Sequence, residues 1–552
     1  MAGGKVGGEI ISRLFDGCRA LRSCLLIGCW LSFCCGLLVE SAWAAPALDT
    51  AAIKRVRQRL SSGVLVWAGD AEGGAPYQLR DPEHPGQVVG FEVEIADGIA
   101  KQISLQIGAP LKAEFKQYEW ASLEQGLMKI DFDLILAGFE QNDDNHDRFR
   151  FSRPYYAYGQ QLAVRADETR IKTLADCIDH PVATMDQTAA HKLMQRMGIK
   201  HISAFTGQIE PYFVLEQGRV DAVLLDTPIF QYYAAPNPRL KAVGPPLGEG
   251  FYKAVMRLDD VDLAAAVDHA LSQLMIDGTL RDIDRKWHLW NADQVRLAQG
   301  PQRTEELQGL GIADGKLVDE STLPQVTPVN RNLVASSSQS WTFSRYAPIL
   351  IAAAGTTILI SVLSMALAML WGLCIALCRL YAPAPVRSLA LVYVEFFRGI
   401  PQLLVLFFIY YGLPSFGITV DSMTAAITGF ALVYAAYESE IYRSAILSVP
   451  RGQWEAARAL GMTEPLAFRR VVLPQAIRTA LGPMTNDFVA MFKDTSLVSV
   501  IAVNELTKEY MILSRSTLKF VEMGLLTAAL YLAMSIPLGY LSRYLEQRWG
   551  TK

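Results

Sequence analysis

Ionisable side chains set inside long apolar runs are the first residues of this 552-residue chain that require a chemical reason. Arg398, Glu440, Lys493 and Asp494 lie in or at the ends of stretches otherwise built from Leu, Val, Ile, Ala and Phe. A charge in hydrocarbon is costly, so such residues either line a polar translocation path or pair while packing helices together. For Lys493 and Asp494 the second reading is a structural ion pair near the membrane surface. Another group occupies a polar stretch: Glu455 beside Ala456 and Ala457, then Gly461, with Arg451, Arg458, Arg469 and Arg470 around them. Small alanines permit close packing, glycine permits a turn, and the carboxylate and arginines can pair across an interface. Glu140 with His146 is the nearest approach to an acid–base pair, and a solvated loop is the other reading. Cys374 and Cys378 lie four apart in an apolar helix, where cysteine is a small packing residue, so no metal site is expected. No Gly-x-x-x-x-Gly-Lys-Ser/Thr loop occurs; the nearest string, Gly311 to Leu317, lacks both spacing and hydroxyl. The chain is therefore not expected to hydrolyse ATP or to hold a cofactor, and no catalytic residue is assigned.

The elements that must carry these residues divide the chain. Its length is too great for one core. A net charge of −4 leaves no nucleic-acid footprint. Hydrophobic residues make up 51% of the chain, and most of the excess lies after about residue 345, which separates a soluble front from a membrane back. Five apolar stretches there, at 347–371, 389–411, 424–446, 482–504 and 520–541, are each long enough to span a ~30 Å hydrocarbon core. The basic stretch from Arg443 to Arg478 and the tail with Arg543, Arg548 and Lys552 are cytoplasmic by the positive-inside rule. Five spans then place residue 345 outside. At the other end, Arg13, Arg19 and Arg22 precede an apolar run from Cys24 to Leu38 and the small-residue exit Ala42-Trp43-Ala44-Ala45, so residues 1–45 read as a secretory signal peptide; a retained membrane anchor is the alternative. Five of the eight cysteines sit in that segment; the front retains only Cys177, so it has no internal disulfide. Pro301 to Gln339 is rich in Gln, Gly, Ser and Thr without apolar periodicity, a linker over 296–345 that keeps the front at high effective concentration near the membrane.

Between residues 46 and 295, short apolar runs alternate with amphipathic stretches, the pattern of an α/β domain. Strand candidates are Val64 to Trp67, Asp133 to Gly138, Val182 to Thr184 and Ala222 to Asp226; Val93 to Ile103 has helical spacing. Val89-Gly90-Phe91-Glu92-Val93-Glu94-Ile95-Ala96, Trp120-Ala121-Ser122-Leu123, Phe151-Ser152-Arg153-Pro154-Tyr155-Tyr156 and Gly218-Arg219-Val220-Asp221-Ala222 resemble the periplasmic binding proteins for polar amino acids. The resemblance implies two α/β lobes joined by crossovers near residues 163 and 248, closing on a ligand by hinge motion. It places Asp226 at the carboxylate that pairs with a ligand α-ammonium, Thr188 at the carboxylate-binding turn, Asp70 at the end of the first strand and Trp120 as an apolar wall. Asp226 as a helix cap and Trp120 as core remain the other readings. Past Gly138 the chain departs from the family, with Glu140 where Ser or Thr is usual and Asn145 where an arginine clamps the α-carboxylate. Asn cannot replace a guanidinium fork, and Glu140 repels a carboxylate. Either Arg148, three residues on, substitutes, or the ligand lacks a free α-carboxylate or carries extra positive charge.

In the membrane back, Glu455-Ala456-Ala457, Gly461 and Leu473-Pro474 resemble the coupling loop of importer-type ABC permeases, here over 448–480. Phe396-Phe397-Arg398-Gly399-Ile400-Pro401-Gln402, Tyr437-Glu438-Ser439-Glu440 and Lys493-Asp494-Thr495-Ser496-Leu497 narrow it to the polar amino-acid branch. The expected architecture is a two-lobed α/β periplasmic-binding-protein domain followed by an all-α transmembrane domain of about five helices over 346–545. The implied partners are cytoplasmic ABC ATPase subunits and a second copy of the chain or a similar permease, in a bacterial inner membrane with the binding domain on the periplasmic side. The implied activity is ATP-driven import of polar amino acids or related small amines. A ligand-gated channel or sensory receptor is the alternative, but it predicts a filter loop or a signalling segment that the sequence lacks.

Overall fold

The computed structural model describes residues 48–291 except 82, 85, 143 and 144, then 294, 297, 312, 313, 316 and 317, and finally 342–549 except 518. The expected signal peptide and most of the expected linker lie outside the described residues.

Alternating runs of apolar residues in the front form one eight-stranded mixed sheet. Its strands are β1 (Val64–Gly69), β2 (Lys112–Gln117), β3 (Leu134–Ile135), β4 (Phe149–Arg165), β5 (Pro181–Met185), β6 (His201–Phe205), β7 (Ala222–Asp226) and β8 (Leu240–Arg257). The spatial order is β2-β1-β3-β8-β4-β7-β5-β6. Parallel β2, β1 and β3 form the sheet of the first lobe, and parallel β7, β5 and β6 that of the second. The long antiparallel strands β4 and β8 run through both and are the crossovers. Their pairing slips between Val243 and Leu247, between Leu247 and Gly250, and again after Tyr252. β4 begins to pair with the second lobe at Gln160, so that crossover lies a few residues before the expected position 163.

Helix α1 (Thr50–Arg59) is capped by Asp49, whose carboxylate accepts from Ala52 N at 2.6 Å. Helix α2 (Phe91–Ile107) buries Phe91, Glu92, Ile95, Ala96, Ile99, Ala100 and Ile103. The buried stripe therefore starts at Phe91 and Glu92, while Val93, expected within it, is half-buried. The indole N–H of Trp287 and the Lys286 ammonium both bind Glu94, at 2.8 and 2.9 Å, which ties the end of the front to α2.

The back is helical. Phe343–Tyr381 and Phe520–Leu541 are each long and apolar enough to cross a membrane. Ala384–Gly399 and Gln402–Gly412 pass that test only together, and they meet at 107°. The expected span over 389–411, interrupted in sequence at Arg398-Gly399, is therefore bent next to that interruption. The residue before a proline is forced out of the α region, and Ile400 before Pro401 has φ −104° and ψ 144°. The helix Ser422–Ser448 is long enough to span but carries Glu438, Glu440 and Arg443. The expected span 482–504 is displaced: its helix is Leu473–Asp494, followed by the tight turn Thr495–Ile501 and by Leu506–Thr517. We label the back helices α3 (Phe343–Tyr381), α4 (Ala384–Gly399), α5 (Gln402–Phe407), α6 (Ser422–Ser448), α7 (Arg451–Ala459), α8 (Leu473–Asp494), α9 (Leu506–Thr517) and α10 (Phe520–Trp549). A Cβ on Gly372 of α3 would stand 2.8 Å from Glu438 Cβ and 2.9 Å from Ala435 O of α6, so glycine sets how closely these two helices approach.

Candidate functional site

A cleft of about 710 Å³ opens between the two lobes of the front. Of the expected ligand residues, Asp70, Trp120, Gly138, Glu140, Asn145, Thr188 and Asp226 all line it. Arg148 does not. Its guanidinium pairs with Glu124, itself a cleft residue, at 2.9 Å and lies over the Phe149 ring. His146 is likewise absent from the lining, and its ring pairs with Asp147 at 3.1 Å, so the possible acid–base pair with Glu140 is not assembled in the cleft.

Asp70 ends β1, and its carboxylate is fully engaged. It accepts from Gln117 Nε2 at 2.9 Å, from Glu72 N at 3.0 Å and from Trp120 N at 2.9 Å. Burial, and then the charge of Glu72, push this carboxyl up to about 6. Trp120 is half-buried, stacks on Phe139 with ring centroids 5.8 Å apart, and packs against the apolar core as well as lining the cleft. Gly138 has φ +61°, a left-handed conformation that suits glycine. Its N–H donates to Glu92 Oε1 at 2.7 Å, and Glu92 is also bound by Gln78 Nε2 at 2.5 Å and by the Tyr155 hydroxyl. Burial pushes the Glu92 carboxyl up to about 7. A carboxylate on the buried stripe of α2, three and four residues before Ile95 and Ala96, was the sequence signal for this support.

Asn145 is buried and holds its own loop together. Its amide donates to Glu140 O at 2.9 Å, and its side-chain oxygen accepts from Asn142 N at 2.8 Å. On the second lobe, Thr188 caps the helix Ala189–Arg196, accepting from His191 N at 3.3 Å and donating to Met185 O at 2.8 Å. Asp226 precedes the short turn Thr227–Ile229 without capping it through its side chain. Its side chain is bonded by Gln160 and by the Tyr252 hydroxyl, which in turn bonds Tyr77 at 2.7 Å, a chain that reaches from one lobe to the other. Burial raises Asp226 to about 6. Burial and then the charge of Asp226 raise Glu140 to about 8, with Lys192 acting in the opposite sense. Two carboxyls from opposite lobes thus feel each other across the cleft. Such a pair resists double ionisation.

In the back, α7 ends in a Schellman turn. Gly461 N–H bonds Arg458 O at 2.9 Å and Met462 N–H bonds Ala457 O at 3.1 Å, with Gly461 at φ +79°. Glu455 and Ala456 are exposed on α7, and Ala457 is buried beneath them. Trp454 stacks on Phe468, and the chain returns through Leu473 and the exposed Pro474 into α8. Glu440 is held by Arg379 of α3 and by Arg443 at 2.8 Å, an ion cluster that ties the ends of α3 and α6. Asp494 accepts from Gln402 Nε2 at 3.0 Å and from the Tyr434 hydroxyl at 2.6 Å, joining α5, α6 and α8. Lys493 is exposed, so Asp494 draws its bonds from neutral donors rather than from an ion pair with it. Arg398 is exposed, with its guanidinium 5.6 Å from the Tyr437 ring.

Comparison with known proteins places these two regions. Residues 67–289 match the bacterial extracellular solute-binding proteins, family 3, and residues 368–551 match the binding-protein-dependent transport system inner membrane component. The probable amino-acid ABC transporter permease protein YckA of Bacillus subtilis is 40% identical over 203 residues, which is 37% of this chain and 90% of that protein. The glutamine transport system permease protein GlnP of Escherichia coli K12 is 36% identical over 203 residues, 36% of this chain and 93% of its own length. The L-cystine transport system permease protein TcyB of Bacillus subtilis is 44% identical over 162 residues, 29% of this chain and 69% of that protein. Among solved structures, holo ArgBP from T. maritima aligns at 26% identity over 39% of this chain and 93% of its own, with a TM-score of 0.36. An amino acid ABC transporter with histidines aligns at 36% identity over 37% of this chain and 96% of its own, also with a TM-score of 0.36. With a solute-binding region ahead of a permease region that carries the Glu455 to Gly461 loop, the chain belongs to the amino-acid ABC transporter permeases and is the fused receptor and permease of an amino-acid ABC importer.

Proposed function

We propose that residues 46–295 form the extracytoplasmic receptor, that 296–345 tether it, and that 346–545 cross the inner membrane five times with the 448–480 loop facing the cytoplasm. The bent α4–α5 pair supplies one crossing in this reading, and α6 and α8 two others despite their charges. The exposed Glu455 and Ala456 and the Gly461 bend engage a separate ATPase, and a second copy of the chain or a similar permease completes the pathway. Asp494, bound by neutral donors between three helices, is the translocation-path candidate best supported by its surroundings; Glu440 is more simply a packing cluster.

The cargo is an amino acid or related amine with more positive than negative charge, such as a diamino acid or a diamine. The observation that carries this is the pair Glu140 and Asp226 from opposite lobes of one cleft, with Asn145 occupied by its own loop and Arg148 by Glu124. A buried ammonium needs an anion, and the aromatic wall of Trp120 and Phe139 suits the rest of such a ligand. The test is calorimetric titration of the full chain in lipid nanodiscs with lysine, arginine, putrescine, glutamine and glutamate. Expected is saturable binding of at least one cation and none of glutamate. Tighter binding of glutamine or glutamate than of every cation would overturn the charge assignment.

A further inference from the structure

Helix α9 of the permease lies against the receptor and carries three charged side chains that reach it. Lys508 is fully buried and pairs with Glu72 and, at 3.2 Å, with Glu119, both of the first lobe. Glu509 pairs with Arg80 of the same lobe at 2.6 Å. Arg515 is different. One Nη of its guanidinium pairs with Glu72 of the first lobe, while its Nε donates to Glu210 Oε1 of the second at 2.9 Å. Its other Nη approaches Thr206 Oγ1, also of the second lobe, at 3.4 Å. The second lobe makes one more contact nearby, Phe213 edge-on to Phe520 at 5.4 Å.

The lobes themselves meet beside this arginine. Ala75 N–H donates to the Tyr233 hydroxyl at 2.9 Å, and Gln208 Nε2 donates to Ala75 O at 3.0 Å, each bond joining the first lobe to the second. Gln208 and Gly73 both line the cleft. Glu72, which Arg515 grips, is hydrogen-bonded through its own N–H to Asp70, also of the cleft lining. One guanidinium therefore spans the seam whose closing traps a ligand, two residues from a cleft carboxylate.

We propose that Arg515 is a positioning residue that fastens both lobes of the docked receptor at once, so that the permease itself holds the receptor shut. A guanidinium offers several donors in a fixed fork, so it can serve two carboxylates on different bodies only while those bodies stay together. Opening the lobes separates Glu72 from Glu210 and leaves Arg515 one partner. Lys508 and Glu509 touch the first lobe alone; they dock the receptor without sensing its closure. By linkage, a contact made only to the closed form raises ligand affinity, and ligand in turn strengthens docking by the same factor. The proposal rests on the receptor assignment given above but not on the identity of the cargo.

It is tested without ligand, by double electron–electron resonance on the full chain in nanodiscs, with spin labels replacing Leu105 of the first lobe and Lys200 of the second, both exposed. Native Arg515 is expected to give a dominant short inter-lobe distance. Arg515→Ala and Glu210→Ala should each lower the ratio of closed to open molecules about tenfold, within the usual 5–150-fold range of such couplings, and Arg515→Lys should fall between. A second label pair, one label on the first lobe and one on α10, reports docking; Lys508→Ala loosens docking yet should leave the closed fraction of docked molecules unchanged. An unaltered distribution in Arg515→Ala, or equal opening of docked molecules in Lys508→Ala and Arg515→Ala, would overturn the assignment. A folding defect is distinguished by a third label pair within the first lobe, which must stay fixed in every variant. Broad distances within that lobe would instead point to failure of the receptor fold itself.

Discussion

At the scale of single residues, the cleft is governed by what each carboxylate already has. Asp70 has three donors, Asp226 has a tyrosine hydroxyl and Gln160, and Glu140 has neither a capping role nor an arginine. Its raised titration follows from burial and from Asp226. The sign of the resulting pH dependence is fixed. A cation stabilises the ionised forms, so binding releases protons, and affinity climbs as pH rises from about 6 to about 8 and levels off above. For the empty receptor the same raised groups act oppositely, their contribution to stability being complete at acid pH and lost as pH rises through those values. Titrating lysine or putrescine into the full chain between pH 5.5 and 8.5 should show this climb. In Glu140→Gln the upper part of it should disappear and affinity at pH 8 should fall about tenfold or more, which is ~1.4 kcal/mol or more. A flat profile in the unaltered chain would show that these carboxyls do not meet the ligand charge.

At the scale of elements, the membrane part depends on how closely α3 and α6 approach. Gly372 faces Ala435 O and Glu438 at distances no real Cβ tolerates. Gly372→Ala is expected to force the two helices apart and destabilise the chain by ~1–3 kcal/mol, the usual range for overpacking. A fall of several degrees in the thermal midpoint of the detergent-solubilised chain would report it. Gly355, also on α3, has open space around its Cβ direction, so Gly355→Ala serves as the silent control. Equal midpoints for the two variants would mean that the contact at Gly372 sets nothing. The bend at Ile400 and Pro401 has a local cause, because proline restricts the residue before it. Pro474 instead follows the π-helical turn Phe468–Val472, which runs without a break into α8.

At the scale of the whole molecule, the chain joins a cleft for which we propose a small cationic ligand to a loop proposed to grip an ATPase, with α9 among the permease elements that touch the receptor. The far end of that connection is the Schellman turn at Gly461. A residue with a Cβ there is forced into a left-handed conformation at a cost of ~1–2 kcal/mol, even though the space around the glycine is open. Gly461→Asp should therefore reshape the bend between α7 and the helix Glu464–Ala467 while leaving the receptor untouched. Expected is unchanged ligand titration with uptake into proteoliposomes abolished when the ATPase is supplied. Normal uptake in this variant would remove the loop from the coupling mechanism.

Much of this was legible in the residues themselves. The two regions and their α/β and helical classes follow from local patterns, short apolar runs in the front and long apolar runs in the back, whereas the coupling loop and the cleft residues were implied by motifs that resemble those of known families. Such patterns are set by period and composition, which a sequence displays directly. What only the tertiary structure decided concerns partners distant in the chain. Arg148 pairs with Glu124, Asn145 turns back onto Glu140 O, and Asp494 is met by Tyr434 and Gln402 rather than by its neighbour Lys493. Glu92 proved to be a buried support for Gly138, and Arg515 found one partner 443 positions away and another 305 away. A charge or amide in isolation is compatible with many partners, and desolvation makes the choice only once folding has brought the candidates together.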